Sequence, residues 1–158
     1  MIRGCDISPF YSVFFTDEGI VTQNGEIIGG PKEPGLHFKI PIIQKVHMVN
    51  VHRIRFLSIP INYNDTVEVK AHWNIKDSIK FFKASESTGD DKKIESIISP
   101  KFSQIINSFS SETLLDIAEG QAANIEFSNS DYEHIVRLAQ DFSVDYGLNI
   151  LRVHFKRK

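Results

Sequence analysis

Residues 34–51, Pro34-Gly35-Leu36-His37-Phe38-Lys39-Ile40-Pro41-Ile42-Ile43-Gln44-Lys45-Val46-His47-Met48-Val49-Asn50-Val51, decide the fold class. Pro34-Gly35 is a turn dipeptide. Leu36, Phe38 and Ile40 alternate with His37 and Lys39, the period-2 pattern of a strand with one buried face. Pro41 cannot donate to a ladder, so it stops that strand, and pairing is expected to resume at Lys45. A turn, a short strand, a proline stop and a long strand make a β-rich opening. It contains no phosphate loop, metal cluster or nucleophile elbow.

Upstream, Phe10 to Thr16 is aromatic and β-prone. Asp17-Glu18-Gly19 reads as a turn and Ile20 to Gln23 as a strand. Asn24-Gly25 is a type I′ hairpin signal, because both central residues of that turn need positive φ. Glu26 to Ile28 is the return strand. Downstream, Lys45 to Ile59 reads as one long strand with a phase shift. Val49 and Val51 share one face while Ile54 and Phe56 have the opposite parity, so a bulge near His52–Arg53 would bring both sets to the core. Asn62-Tyr63-Asn64-Asp65 is turn chemistry.

Thr66 to Ile75 gives the cleanest alternation. Val67, Val69, Ala71, Trp73 and Ile75 interleave with Glu68, Lys70, His72 and Asn74, which predicts an antiparallel strand with a buried Trp73. Asp77 is placed to cap a short helix carrying Ile79, Phe81 and Phe82. A helical period then runs through Ile94, Ile97, Ile98, Phe102, Ile105, Ile106 and Phe109, with Pro100 predicting a kink or two abutting helices. Ser111 is the expected cap of the next helix and Gly120 its stop. Ser130-x-x-Glu133 is a capping box before Tyr132, Ile135, Val136, Ala139 and Phe142. Gly147 ends that helix, and Leu148 to Phe155 is a last strand with a phase slip before Val153. Strands, then helices, then a returning strand predict a single α+β domain over residues 10–158, a mostly antiparallel sheet covered by amphipathic helices.

A chain of 158 residues can bury a self-sufficient core. Its net charge of −2 gives no basic field of the kind nucleic acid attracts. Cys5 is the single cysteine, so no internal disulfide can form. No run reaches the roughly 20 apolar residues that span a bilayer. The six histidines lack helical H-x₃-H spacing and sit beside no cysteine pair, so they read as solvated strand residues. Asp90, Asp91, Asp131 and Glu133 fall at helix starts, where the dipole favours negative charge. Ser99, Ser110 and Ser111 have no G-x-S-x-G context. These patterns assign no catalytic, cofactor or metal residues.

One surface stands out. Leu36, Phe38, Ile40, Ile42 and Ile43 are apolar residues in and beside the Pro34–Pro41 segment. By alternation some belong in the core, while Ile42 and Ile43 follow the strand stop and are the expected exposed pair. Exposed apolar residues beside a loop suggest membrane or subunit contact.

Several stretches carry a resemblance. Asp17-Glu18-Gly19-Ile20-Val21, Pro34 to Pro41 (PGLHFKIP), Val67 to Asp77 (VEVKAHWNIKD), Lys101-Phe102-Ser103 with Thr113 to Ile117, and Asp145 to Val153 occur in the order found in the SPFH (Band 7) domain of stomatins, prohibitins, HflK and HflC. The chain resembles the HflC branch most, although Arg152 stands where that branch has an aspartate and Lys158 where it has a hydrophobic residue. The resemblance implies a non-enzymatic membrane scaffold without cofactors. It would assemble with homologous SPFH subunits, act on a membrane AAA protease (FtsH-like) and bind no nucleic acid. The alternative is a stomatin-type module binding lipid headgroups at the membrane surface. Family members carry an N-terminal anchor and a C-terminal coiled coil, so residues 1–9 are expected to be a tail after a missing anchor. The chain alone is then expected to be soluble, and a monomer or weak dimer.

Overall fold

Strand β7 (Val67–Ile75) organises the molecule. Its inward residues Val67, Val69, Ala71, Trp73 and Ile75 are all buried, as the alternation predicts. The computed structural model describes residues 7–61, 67–123, 127 and 129–158. Cys5 and the Asn62–Asp65 segment lie outside them.

The remaining strands are β1 (Phe10–Val13), β2 (Asp17–Gln23), β3 (Glu26–Ile27), β4 (Gly35–Phe38), β5 (Gln44–Asn50), β6 (Arg55–Ile59) and β8 (Leu148–Arg157). Between β7 and β8 run α1 (Ser78–Ala84), α2 (Asp91–Asn107), α3 (Ser111–Ala123), α4 (Ser130–Ser143) and a 3₁₀ turn, Val144–Tyr146. Described strands form a β1-β4 pair, a β3-β2-β5 sheet and a β6-β7-β8 sheet. Every pairing is antiparallel. This is the expected α+β arrangement.

Helices cover the inner face of the β6-β7-β8 sheet. Helices α3 and α4 pack on β8, and α2 packs on β6 and α4. Ile94, Ile98, Phe102 and Ile106 form one buried stripe of α2. Phe102 meets Phe142 of α4 edge-on, with centroids 5.0 Å apart. Trp73 is fully buried beneath this layer. The Arg55 guanidinium carbon lies 5.2 Å from the centre of its ring.

Several local expectations are corrected. Asp17-Glu18-Gly19 is not a turn: it pairs with Met48–Asn50 and extends β2. Nor is Lys45–Ile59 one bulged strand. It divides into β5 and β6, which belong to different sheets. The corner is held by polar groups that replace the ladder. Asn50 Oδ1 accepts the Arg53 amide at 2.8 Å, and Arg55 donates to the Asn50 and Arg53 carbonyls. Arg55 also pairs with Asp91 at 2.7 Å, so Arg55 faces inward while Ile54 and Phe56 face out.

Helix α2 is continuous through Pro100, because buried Ile98 and Phe102 hold both sides of that position against the core. Gly120 lies inside α3 and does not stop it. Ser110, not Ser111, caps α3, accepting the Thr113 amide at 3.1 Å. Asn129, not Ser130, caps α4 through the Asp131 and Tyr132 amides. Asp77 caps α1 as expected, at 2.9 Å from the Lys80 amide. Gly147 has φ 72°, as its position after α4 requires, and an added Cβ there would lie 2.2 Å from the Asp77 carbonyl oxygen. The phase slip of β8 is a register shift opposite His72 and Trp73.

Candidate membrane-facing surface

The pairing of β1 with β4 decides which way the apolar residues of the 34–51 stretch point. Phe10 lies opposite Phe38, and Ser12 opposite Leu36. Phe10 and Phe38 touch edge-on at 5.9 Å. Both face solvent: Leu36 is 71% exposed and Phe38 64%. The expectation that Leu36, Phe38 and Ile40 contribute to the core is therefore wrong, since all three are exposed.

The other face explains the inversion. Tyr11 and Val13 of β1 sit opposite His37 and Gly35. Val13 is buried, and Lys39, the next residue of matching parity, is buried as well. Tyr11 stacks on His37 at 5.4 Å, and His37 Nε2 lies 2.7 Å from the Glu33 carbonyl. Burial pushes the Tyr11 hydroxyl pKa upward, and that hydroxyl has no hydrogen-bond partner. The β1–β4 pair thus turns Tyr11 and Val13 toward β2 and turns Phe10, Leu36 and Phe38 toward water.

The turn after Pro41 continues the surface. Gln44 closes it, donating its amide to the Ile40 carbonyl at 3.0 Å and accepting the Ile40 amide through Oε1 at 2.8 Å. Within this clamp Ile42 has φ 72° and is 87% exposed. Left-handed backbone at a β-branched residue is disfavoured by roughly 1–3 kcal/mol. Ile43 is also exposed. The structure places Leu36, Phe38, Ile40, Ile42 and Ile43 along β4 and the turn that follows it, all exposed. Phe10, Phe14 and Phe15 are exposed too. Sequence reading left those three out because their aromatic run gives no sign of its strand partner. Single exposed apolar residues are ordinary, but several on one strand pair and the turn beside it are a candidate contact surface.

The other candidates have structural positions. Asp90 caps α2 through the Lys92 amide, and Asp91 holds Arg55. Asp131 and Glu133 lie in the first turn of α4. His72 and His154 lie on the outer side of the β7–β8 pair, opposite Arg152 and Lys70 respectively. No group of three or more His, Cys, Asp or Glu among the described residues is arranged to hold a metal. No described helix is long and apolar enough to cross a membrane. A cleft of about 680 Å³ between β2 and α1 holds Glu18, whose carboxylate accepts the buried Ser78 hydroxyl.

The chain belongs to the SPFH domain / Band 7 family, whose pattern matches residues 16–157. A particular relative is Protein HflC of Haemophilus influenzae, 28% identical over an alignment of 133 residues that covers 79% of this chain and 43% of that protein. The chain thus spans less than half the length of the curated relative it matches.

Proposed function

We propose that this SPFH domain is part of a non-enzymatic, membrane-associated scaffold of the HflC type. In this reading Leu36, Phe38, Ile40, Ile42 and Ile43 are its membrane or subunit contacts. Residues 1–9 lead from a membrane anchor into a domain spanning 10–158. The whole protein assembles with homologous SPFH subunits and modulates a membrane AAA protease of FtsH type. Family membership and the HflC match support the scaffold class. The observation that carries the membrane reading is the exposed apolar face of β4 and the turn after it, with Ile42 held outward at a conformational cost.

Flotation with phosphatidylcholine vesicles tests the surface. The 158-residue chain should float, and Phe38→Asp with Ile42→Asp should not, at unchanged melting temperature. Flotation that survives both substitutions rejects the surface. The assembly and protease parts need the full-length protein: sedimentation should show a large complex, and adding it to a purified FtsH-type protease should change membrane-substrate turnover. Unchanged turnover would leave the second reading, a stomatin-type lipid-headgroup module. Both readings use the same exposed apolar residues, so flotation tests the surface and the protease assay separates the readings.

A further inference from the structure

Behind the turn at Ile42 lies a cavity of about 370 Å³, inside the range of roughly 300–1,000 Å³ common for small-ligand sites. Thr22, His47 and Phe82 line its interior, and Ile42 and Ile43 stand at its edge. Thr22 is buried, and its hydroxyl lies 3.2 Å from His47 Nε2. The His47 ring rests against Phe82 at 4.7 Å, which fixes the imidazole in place. Asn24, Lys45 and Ser87 complete the polar wall.

These groups share one chemistry. An ammonium, an imidazole, two hydroxyls and an amide converge, all able to donate hydrogen bonds. No carboxylate lines the cavity, and no carboxylate among the described residues forms an ion pair with Lys45. Donors next to positive charge, with no competing anion, suit a phosphate group. Alongside them stand two exposed isoleucines, which suit hydrocarbon. A ligand that satisfies both is an amphiphile with a phosphate at the junction.

We propose that this cavity seats the phosphate of a phospholipid headgroup whose acyl chains run along Ile42 and Ile43. The proposal rests on the membrane-surface reading and gives that surface a ligand. Lys45 supplies charge at the mouth, and Thr22 and His47 bind the inner oxygens. Insertion of the Ile42 turn between lipids brings one headgroup level with the opening.

The experiment uses two soluble probes and one vesicle series. Dihexanoyl phosphatidylglycerol, kept monomeric, and inorganic phosphate are titrated separately into isotope-labelled protein. The His47 ring and the Thr22 amide are the NMR reporters. The lipid should move both signals to saturation, and phosphate should move them at least tenfold more weakly. Lys45 is exposed, so Lys45→Gln should fold normally and weaken the lipid by about tenfold, the worth of one charge-assisted hydrogen bond. Thr22→Val, checked for an unchanged melt, should weaken it further.

Silence at His47, phosphate binding as tight as the lipid, or no effect of Lys45→Gln would each overturn the proposal. Phosphatidylcholine vesicles separate it from its foundation. If the chain floats with them while His47 stays silent to both probes, the cavity proposal fails and the membrane surface stands. If it does not float while the short-chain lipid still titrates His47, the surface reading fails and the phosphate site stands.

Discussion

Strands β4 and β7 carry the same sequence pattern and use it in opposite ways. Both alternate apolar with polar residues at period two. In β7 the apolar set is buried and the polar set half-buried. In the segment that begins with β4 the apolar Leu36, Phe38 and Ile40 are exposed, and Lys39 is buried. The difference lies in what covers each strand. β7 is the middle of three strands under helices, whereas β4 belongs to a two-stranded pair. Alternation shows that a strand has two unlike faces. Which face meets water is decided by the layer packed upon it, and β1–β4 lays its Tyr11–His37 side on the rest of the fold.

The largest test of this contrast is a pair of matched substitutions. Val69→Asp buries an unpaired charge at a fully enclosed site and should unfold the domain, a loss of about 4 kcal/mol or more. Phe38→Asp likewise puts an aspartate in place of an apolar residue, on the exposed β1–β4 pair, and should shift stability by no more than about 0.5 kcal/mol. Urea denaturation measures both. A large loss from Phe38→Asp would mean that the β1–β4 pair is covered in solution, and the comparison would break.

A middle-sized effect concerns the outer strand of the covered sheet. β8 lies at the edge of the order β6-β7-β8. Gln121 of α3 spans it, donating to the Val153 carbonyl at 3.1 Å and accepting the Phe155 amide at 2.8 Å. Gln140 of α4 accepts the Ile150 amide at 2.8 Å. Two side-chain amides thus occupy ladder positions that an edge strand leaves open. Gln121→Leu leaves both backbone groups unpaired in a buried place and should cost about 1–3 kcal/mol. Amide exchange at Phe155 should accelerate in step, and unchanged exchange would show that water takes over the role.

Smaller again is Ile42→Gly. Glycine accepts φ 72° without strain, but it loses more entropy on folding than isoleucine. The balance favours the variant by about 1 kcal/mol. Thermal melts should therefore rise while vesicle flotation weakens. A lower melting temperature would mean that the Ile42 side chain packs within the domain.

Much of the covered region was legible in sequence, and less of the exposed one. The alternation of 67–75, the Asp77 cap, the Asn24-Gly25 turn (φ 52° and 87°) and Gly147 all act through neighbours within a few residues. The break between β5 and β6 was not legible, because it depends on Arg55 reaching Asp91 of α2, far along the chain. The caps shifted by one residue because Ser110 and Ser111, or Asn129 and Ser130, are chemically alike and only backbone geometry chooses between them. At the candidate surface, the residues were visible and their direction was not. Nothing in Leu36-His37-Phe38 states that Phe10-Tyr11-Ser12 will pair with it, and that pairing sets the outward face.

The smallest effect places one titrating group in each three-stranded sheet and asks whether the two sheets melt together. His47 belongs to β5, in the sheet beside the β1–β4 pair, and His154 to β8, in the covered sheet. Burial, then the neighbouring Lys45, lowers the pKa of His47. Burial, then Arg152, His72, Lys156 and Lys70, lowers that of His154. In the unfolded chain both return to an ordinary imidazole near about 6.5. Below that pH the unfolded state takes up protons that the folded state resists, so stability is full above about 6.5 and declines as pH falls toward the folded values. Glu95 works in the opposite sense, since burial and then Asp91 raise its pKa and acidification relieves it. Comparing wild type with His47→Gln and with His154→Gln cancels that opposing contribution. Melting temperature followed from about pH 7.5 to about pH 5.5 should decline in the wild type, and each substitution should flatten the decline. If the β3-β2-β5 sheet and the covered sheet form one cooperative unit, both substitutions act on a single transition. An early transition that responds to His47→Gln alone would show the β3-β2-β5 sheet, on which the outward-facing β1–β4 pair rests, opening before the covered sheet.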